Sequence, residues 1–134
     1  MRQRISSLPP WTFSVLTLLV ICWLTLFPKP FGEESPQLFE GADKVVHALM
    51  FGGLSIMILL DYQRRHNWLL IKWTGVALAS ILSFLIGVGI EYLQLAMALG
   101  RGFEIGDIIA DAVGSLLAAN LWLIFQASFV PASE

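Results

Sequence analysis

The sequence predicts an all-α, polytopic membrane protein, a single domain over residues 1–134 built as a four-transmembrane-helix bundle. Three observations predict it. Hydrophobic residues make up 57% of the chain and charged residues only 13%, against roughly 25% charged in a soluble domain. Mean hydropathy is +0.75. The apolar residues fall in long blocks, at approximately 9–27, 45–61, 69–94 and 107–126, and ~20 apolar residues are what a helix needs to cross the hydrocarbon core. A net charge of -2 with no basic stripe excludes a nucleic-acid surface. Cys22 is the only cysteine, which excludes an intrachain disulfide and a Cys-based metal centre.

The first span follows Arg2 and Arg4, with Pro9-Pro10 opening an apolar run from Trp11 to Phe27. Proline suits a first helical turn, where its missing N–H has no intrahelical partner to lose. A basic start and an apolar run also describe a signal peptide. This run ends in Phe27-Pro28-Lys29-Pro30 with no small-x-small cleavage site, so it is read as a retained helix. A connector with Pro30, Pro36, Glu33, Glu34 and Glu40 shows no periodicity.

Asp43-Lys44-Val45-Val46-His47 then leads into the second span, which closes at Asp61 and the polar turn Gln63 to Asn67. The third apolar stretch, Trp68 to about Leu99, is longer than one crossing. With Lys72 anchored at one interface, Glu91 lies roughly 28 Å further on at 1.5 Å per residue, near the opposite interface. The fourth span runs from Ile108 to Phe125.

Four spans put Arg2, Arg4, Arg64, Arg65 and Lys72 on one side and Lys29, Lys44 and Arg101 on the other. Excess Lys and Arg mark the cytoplasmic side, which predicts a multi-pass protein with both termini cytoplasmic. Most of the acidic residues then fall on the outer side, and three helix ends there carry polar pairs. Asp43 and His47 are i,i+4, Glu91 and Gln94 are i,i+3, and Asp107 and Asp111 are i,i+4. Such spacings share a helix face, and short connectors bring the three stripes to one depth. Gly75, Ala79, Ser83 and Gly87 form a small-residue stripe leading to Glu91. Small residues at this spacing let helices approach closely, so Glu91 is expected to face a neighbour, with the third helix packed on the fourth.

Plainer readings exist for some of these residues. Asp43 and Asp107 can cap a helix N-terminus or favour its dipole, His47 can bond Asp43, and Arg101 can serve as an interfacial anchor. Glu91 and Asp111 are harder to dismiss, because a carboxylate within a span is costly unless paired or wet.

The arrangement Asp43-Lys44-x-x-His47, Glu91-x-x-Gln94, Gly100-Arg101 and Asp107-x-x-x-Asp111-x-x-Gly114 resembles the VanZ-like family of small bacterial membrane proteins, over roughly residues 43–123. The resemblance implies the bacterial cytoplasmic (inner) membrane and an association with resistance to the glycopeptide teicoplanin. It also implies an Asn where this chain has Asp111, so the site here is more acidic.

Three functions are weighed. The first is an outer-face polar pocket for an amphiphilic ligand, an envelope lipid or a lipidated glycopeptide, lined by Asp43, Lys44, His47, Glu91, Gln94, Arg101, Asp107 and Asp111. The second is an intramembrane enzyme acting on an envelope lipid or precursor, with His47, Glu91, Asp107 and Asp111 as catalytic candidates for acid/base work. A variant of that reading has Asp43, His47, Glu91, Asp107 and Asp111 ligating a hard divalent cation. No HExxH, nucleophile elbow or phosphate loop is present, and no metal or cofactor is assigned. The third is a structural or ion-relay role. Membrane lipids are the expected partners in every case, and the oligomeric state is left open.

Overall fold

The computed structural model describes residues 4–5, 7–27, 40–97 and 103–129. The connector with Lys29, Glu33 and Glu34, and the Gly100-Arg101 pair, lie outside the described residues. The described residues form four helices: α1 (Thr12–Leu26), α2 (Ala42–Arg65), α3 (Trp73–Ala96) and α4 (Ile105–Phe129). No strand occurs among them. Helices α2, α3 and α4 are long and apolar enough to cross a membrane. The 15 residues of α1 reach only ~22 Å at 1.5 Å per residue, short of the ~30 Å core. The expected four spans are therefore four helices, three of them of spanning length.

The bundle is inverted relative to a soluble core. Ser55, Asp61, Ser83, Glu91, Asp111 and Ser115 are fully buried, while Leu49, Trp73, Leu78 and Ile124 are about two-thirds exposed or more. In lipid, large aliphatic side chains gain nothing by facing inward. Helices associate instead through close packing of small residues and through interhelical hydrogen bonds. On α4 the inward stripe is Asp107, Asp111, Ser115, Ala119 and Gln126, all buried. Ser115 donates to Ser83 at 3.1 Å, and Ser83 donates to the Phe51 carbonyl at 2.8 Å, joining α4, α3 and α2 in one layer.

The expected packing of α3 on α4 is present, and α2 and α4 form a still more extensively packed pair. A methyl group on Gly114 would overlap the Ala48 carbonyl, and one on Gly52 would stand 2.9 Å from the Gly114 oxygen. Ala48 and Gly52 form a small-residue step on α2 that matches Gly114 and Ala118 on α4. Helices α3 and α4 still meet through the expected stripe, where Gly87 leaves room for the Asp111 carboxylate.

Helix α1 is held at both ends by side chains of other helices. The Ser14 N–H, one of the first-turn donors that a helix cannot satisfy itself, donates to Asp61 Oδ2 at 2.8 Å, as does the Ser14 hydroxyl. The Thr25 carbonyl, orphaned in the last turn, accepts from Gln94 Nε2 at 2.7 Å. Arg64, counted above among the loop cations, is buried. It binds Asp61 at 2.8 Å and donates to the carbonyls of Ile5, Leu8 and Pro9. The polar turn at the end of the second helix is thus an internal latch.

The third span is expected from about residue 69, yet α3 begins at Trp73. Asn67 and Trp68 adopt left-handed backbone angles (φ 55 and 60). Gln126 then holds Ile71 on both sides, accepting from its N–H at 2.7 Å and donating to its carbonyl at 2.9 Å. Replacing Gln126 with Leu leaves both backbone groups without this partner. It is expected to cost about 1–3 kcal/mol, read as a lower unfolding midpoint in detergent by circular dichroism. An unchanged midpoint would show that the clamp is dispensable.

Candidate functional site

The site lies at the end of the bundle where α2 and α4 begin and α3 finishes. Asp43, Lys44 and His47 come from the first two turns of α2, Glu91 from the closing turns of α3, and Asp107 and Asp111 from the opening turns of α4. Its outer layer, the mouth, is exposed, and its inner layer one turn further in, the floor, is buried.

At the mouth, Lys44 Nζ lies 2.9 Å from Glu104, 3.1 Å from Asp43 and 3.6 Å from Asp107 Oδ1. Its stem crosses Gly106, where a methyl group would stand 2.6 Å from Lys44 Cε. Glycine is what permits so close an approach. Lys44 and Glu104 are both partly exposed, so their pair contributes little to stability.

One turn below Lys44 is His47, which is buried. Its Nδ1 is 3.0 Å from Asp111 Oδ1 and 4.0 Å from Glu91 Oε1, and its Nε2 is 3.7 Å from Asp107 Oδ2. The plainer alternative, a bond between His47 and Asp43, is absent among the described contacts, because Asp43 turns to Lys44 and His47 turns to α4. Glu91 and Asp111 are fully buried. Neither oxygen of Glu91 has a hydrogen-bond partner among the described residues, and the same is true of Asp111 Oδ2. Three carboxyl groups therefore surround a single imidazole. Buried carboxylates that lack donors are expensive, so the cluster calls for further positive charge.

The structure brings His47, Glu91, Asp107 and Asp111 together on the floor and Asp43 and Lys44 above them. Gln94 is directed elsewhere, its described bond being to Thr25 of α1. Arg101 lies outside the described residues. The ligand-residue set read from the sequence omits Glu104, the nearest partner of Lys44. Its signal was present, since it precedes Asp107 by three residues. Among the described residues, two sets have the proximity that a cation requires. One ligand atom from each of His47, Glu91 and Asp107 lies within 4.8 Å of the others, all three residues being buried. Asp43, Glu104 and Asp107 make a second, more exposed set.

No curated protein and no solved structure matches the chain. A family model described as VanZ/LLP1 matches residues 13–126, which takes in α1 from its second residue and every residue of the mouth and floor. With that match over most of its length, this membrane protein belongs to the VanZ/LLP1 family.

Proposed function

We propose that this VanZ/LLP1 protein binds the polar headgroup of an amphiphilic, lipid-like molecule at the outer membrane face, in the column from Lys44 down to His47. The observation that carries the reading is the join between polar and apolar surface at one end of the bundle. The exposed Lys44–Glu104 pair lies one helical turn from the buried His47, while Val45, Val46 and Leu49 of α2 and Ile105 and Ile109 of α4 are exposed beside it. A headgroup would exchange contacts with the mouth while its chains lie along those aliphatic faces. Teicoplanin, which is lipidated, is the ligand that the family resemblance suggests.

The test is binding to the full chain in nanodiscs, using teicoplanin, a glycopeptide lacking the acyl chain, and anionic and polyprenyl lipids. An acylated ligand is expected to bind, and Lys44→Glu to weaken it about tenfold, or ~1.4 kcal/mol. If neither teicoplanin nor any of these lipids binds above the empty-nanodisc level, the reading fails.

A second reading, an intramembrane enzyme acting on an envelope lipid or precursor, is favoured by one contact. Asp111 lies 3.0 Å from His47 Nδ1, and a carboxylate that orients an imidazole is a recurrent device for acid/base work. Turnover of a polyprenyl-linked precursor by wild type but not by His47→Ala would select this reading, and its absence in wild type would remove it.

A further inference from the structure

We propose that His47, Glu91 and Asp107 form a binding site for one divalent transition-metal ion, with Asp111 as the positioning residue that holds the imidazole. The site goes beyond the headgroup reading and stands without it.

Proximity is the first support. Ligands ~2.0–2.2 Å from a tetrahedral ion lie roughly 3.3–3.6 Å apart. His47 Nε2 and Asp107 Oδ2 are 3.7 Å apart, and the three ligand atoms fall within 4.8 Å of one another. Modest side-chain movement around an ion closes the set.

The second support is independent of proximity. Glu91 is fully buried, and neither of its oxygens has a hydrogen-bond partner among the described residues. A structural carboxylate at that depth would be held by donors. Among the described residues, the Glu104 backbone N–H approaches Glu91 without hydrogen-bond geometry, and Lys44 is already engaged by Asp43, Glu104 and Asp107. Glu91 Oε1 stands 4.0 Å from Nδ1, the nitrogen that Asp111 holds, so Glu91 has to turn toward Nε2 to share an ion with Asp107.

The third support is the arrangement around His47. Metal-bound histidine commonly donates its other ring N–H to a carboxylate, which fixes the tautomer and turns the free nitrogen to the ion. Asp111 Oδ1 stands 3.0 Å from Nδ1, which leaves Nε2 on the Asp107 side. Asp111 is itself seated against Gly87, where a methyl group would stand 2.6 Å from Oδ2.

The donor set selects the class of ion. One imidazole with two carboxylates suits Zn²⁺ or Mn²⁺ better than Mg²⁺ or Ca²⁺, which favour all-oxygen shells. A dication also supplies positive charge to Glu91, which has no described ion pair other than His47.

The test uses the full chain in detergent, stripped with chelator, loaded with Zn²⁺ and freed of excess ion by gel filtration, with bound zinc measured by mass spectrometry. Wild type is expected to retain about one ion per chain. Glu91→Gln, nearly isosteric, and His47→Ala are each expected to lower retention at least about tenfold, with helicity by circular dichroism showing that the chain remains folded. With Co²⁺ in place of Zn²⁺, Asp111→Asn should keep the ion but shift its visible absorption, a change that a purely structural residue would not cause. Three results would overturn the proposal: a wild type that retains no ion, full retention by Glu91→Gln, or loss on Asp43→Asn with retention by Glu91→Gln. The last would assign the ion to the exposed Asp43–Glu104–Asp107 set.

Discussion

Replacing Arg64 with Met is expected to destabilise the protein by about 3–5 kcal/mol, the usual cost of removing one member of a buried ion pair. Arg64 and Asp61 are both buried and joined at 2.8 Å. Without the guanidinium, Asp61 keeps only the two bonds from Ser14, and the carbonyls of Ile5, Leu8 and Pro9 lose their described donor. The damage should concentrate on α1, since Asp61 also fixes the start of that helix. Guanidinium unfolding in detergent, with Asp61→Asn/Arg64→Met alongside, separates charge from packing. Neutralising both members should recover part of the loss, because an uncompensated charge costs more than an absent pair. A single Arg64→Met variant losing less than about 1 kcal/mol would place the pair in the range of exposed salt bridges and contradict its burial.

That latch was hidden in the sequence for a physical reason. Asp61 and Arg64 end an apolar run, where ionisable residues ordinarily face the headgroups, and sequence spacing does not distinguish an interfacial charge from a buried one. Glu91 and Asp111 were legible because no inexpensive alternative exists for a carboxylate on a small-residue stripe inside a span. Gln94 shared the spacing but not the direction. Three residues at 3.6 per turn leave it about 60° round the helix from Glu91, enough to reach Thr25 on α1. The α2–α4 contact was also written in the chain, as Ala48-x-x-x-Gly52 opposite Gly114-x-x-x-Ala118, but the longer stripe on α3 points to the α3–α4 pair, which packs less extensively. The helices themselves followed from the apolar blocks. The end of α2, at Arg65 against an expected 61, and the start of α3, at Trp73 against an expected 69, depart most, and at the latter a distant glutamine satisfies the backbone in place of a helical turn.

The α2–α4 contact supports the second large effect, because it sets the frame of the site as well as of the fold. Gly114→Val is expected to cost about 3 kcal/mol or more, the upper end for overpacking. Even the first added carbon would overlap the Ala48 carbonyl, and backbone, unlike a flexible side chain, cannot swing aside. Relief requires α2 and α4 to separate. Ala48 adjoins His47, and Gly114 lies three residues beyond Asp111, so that separation opens the 3.0 Å contact between His47 and Asp111. Gly53→Ala provides the comparison, because a methyl group there meets nothing within 4 Å. It removes an interior helical glycine and should leave stability unchanged or raise it by up to ~1 kcal/mol. Thermal unfolding of the two variants in the same detergent checks both expectations. Equal midpoints would mean that the helices are not pressed together at Gly114, and the floor of the site would then need another scaffold to hold imidazole against carboxylate.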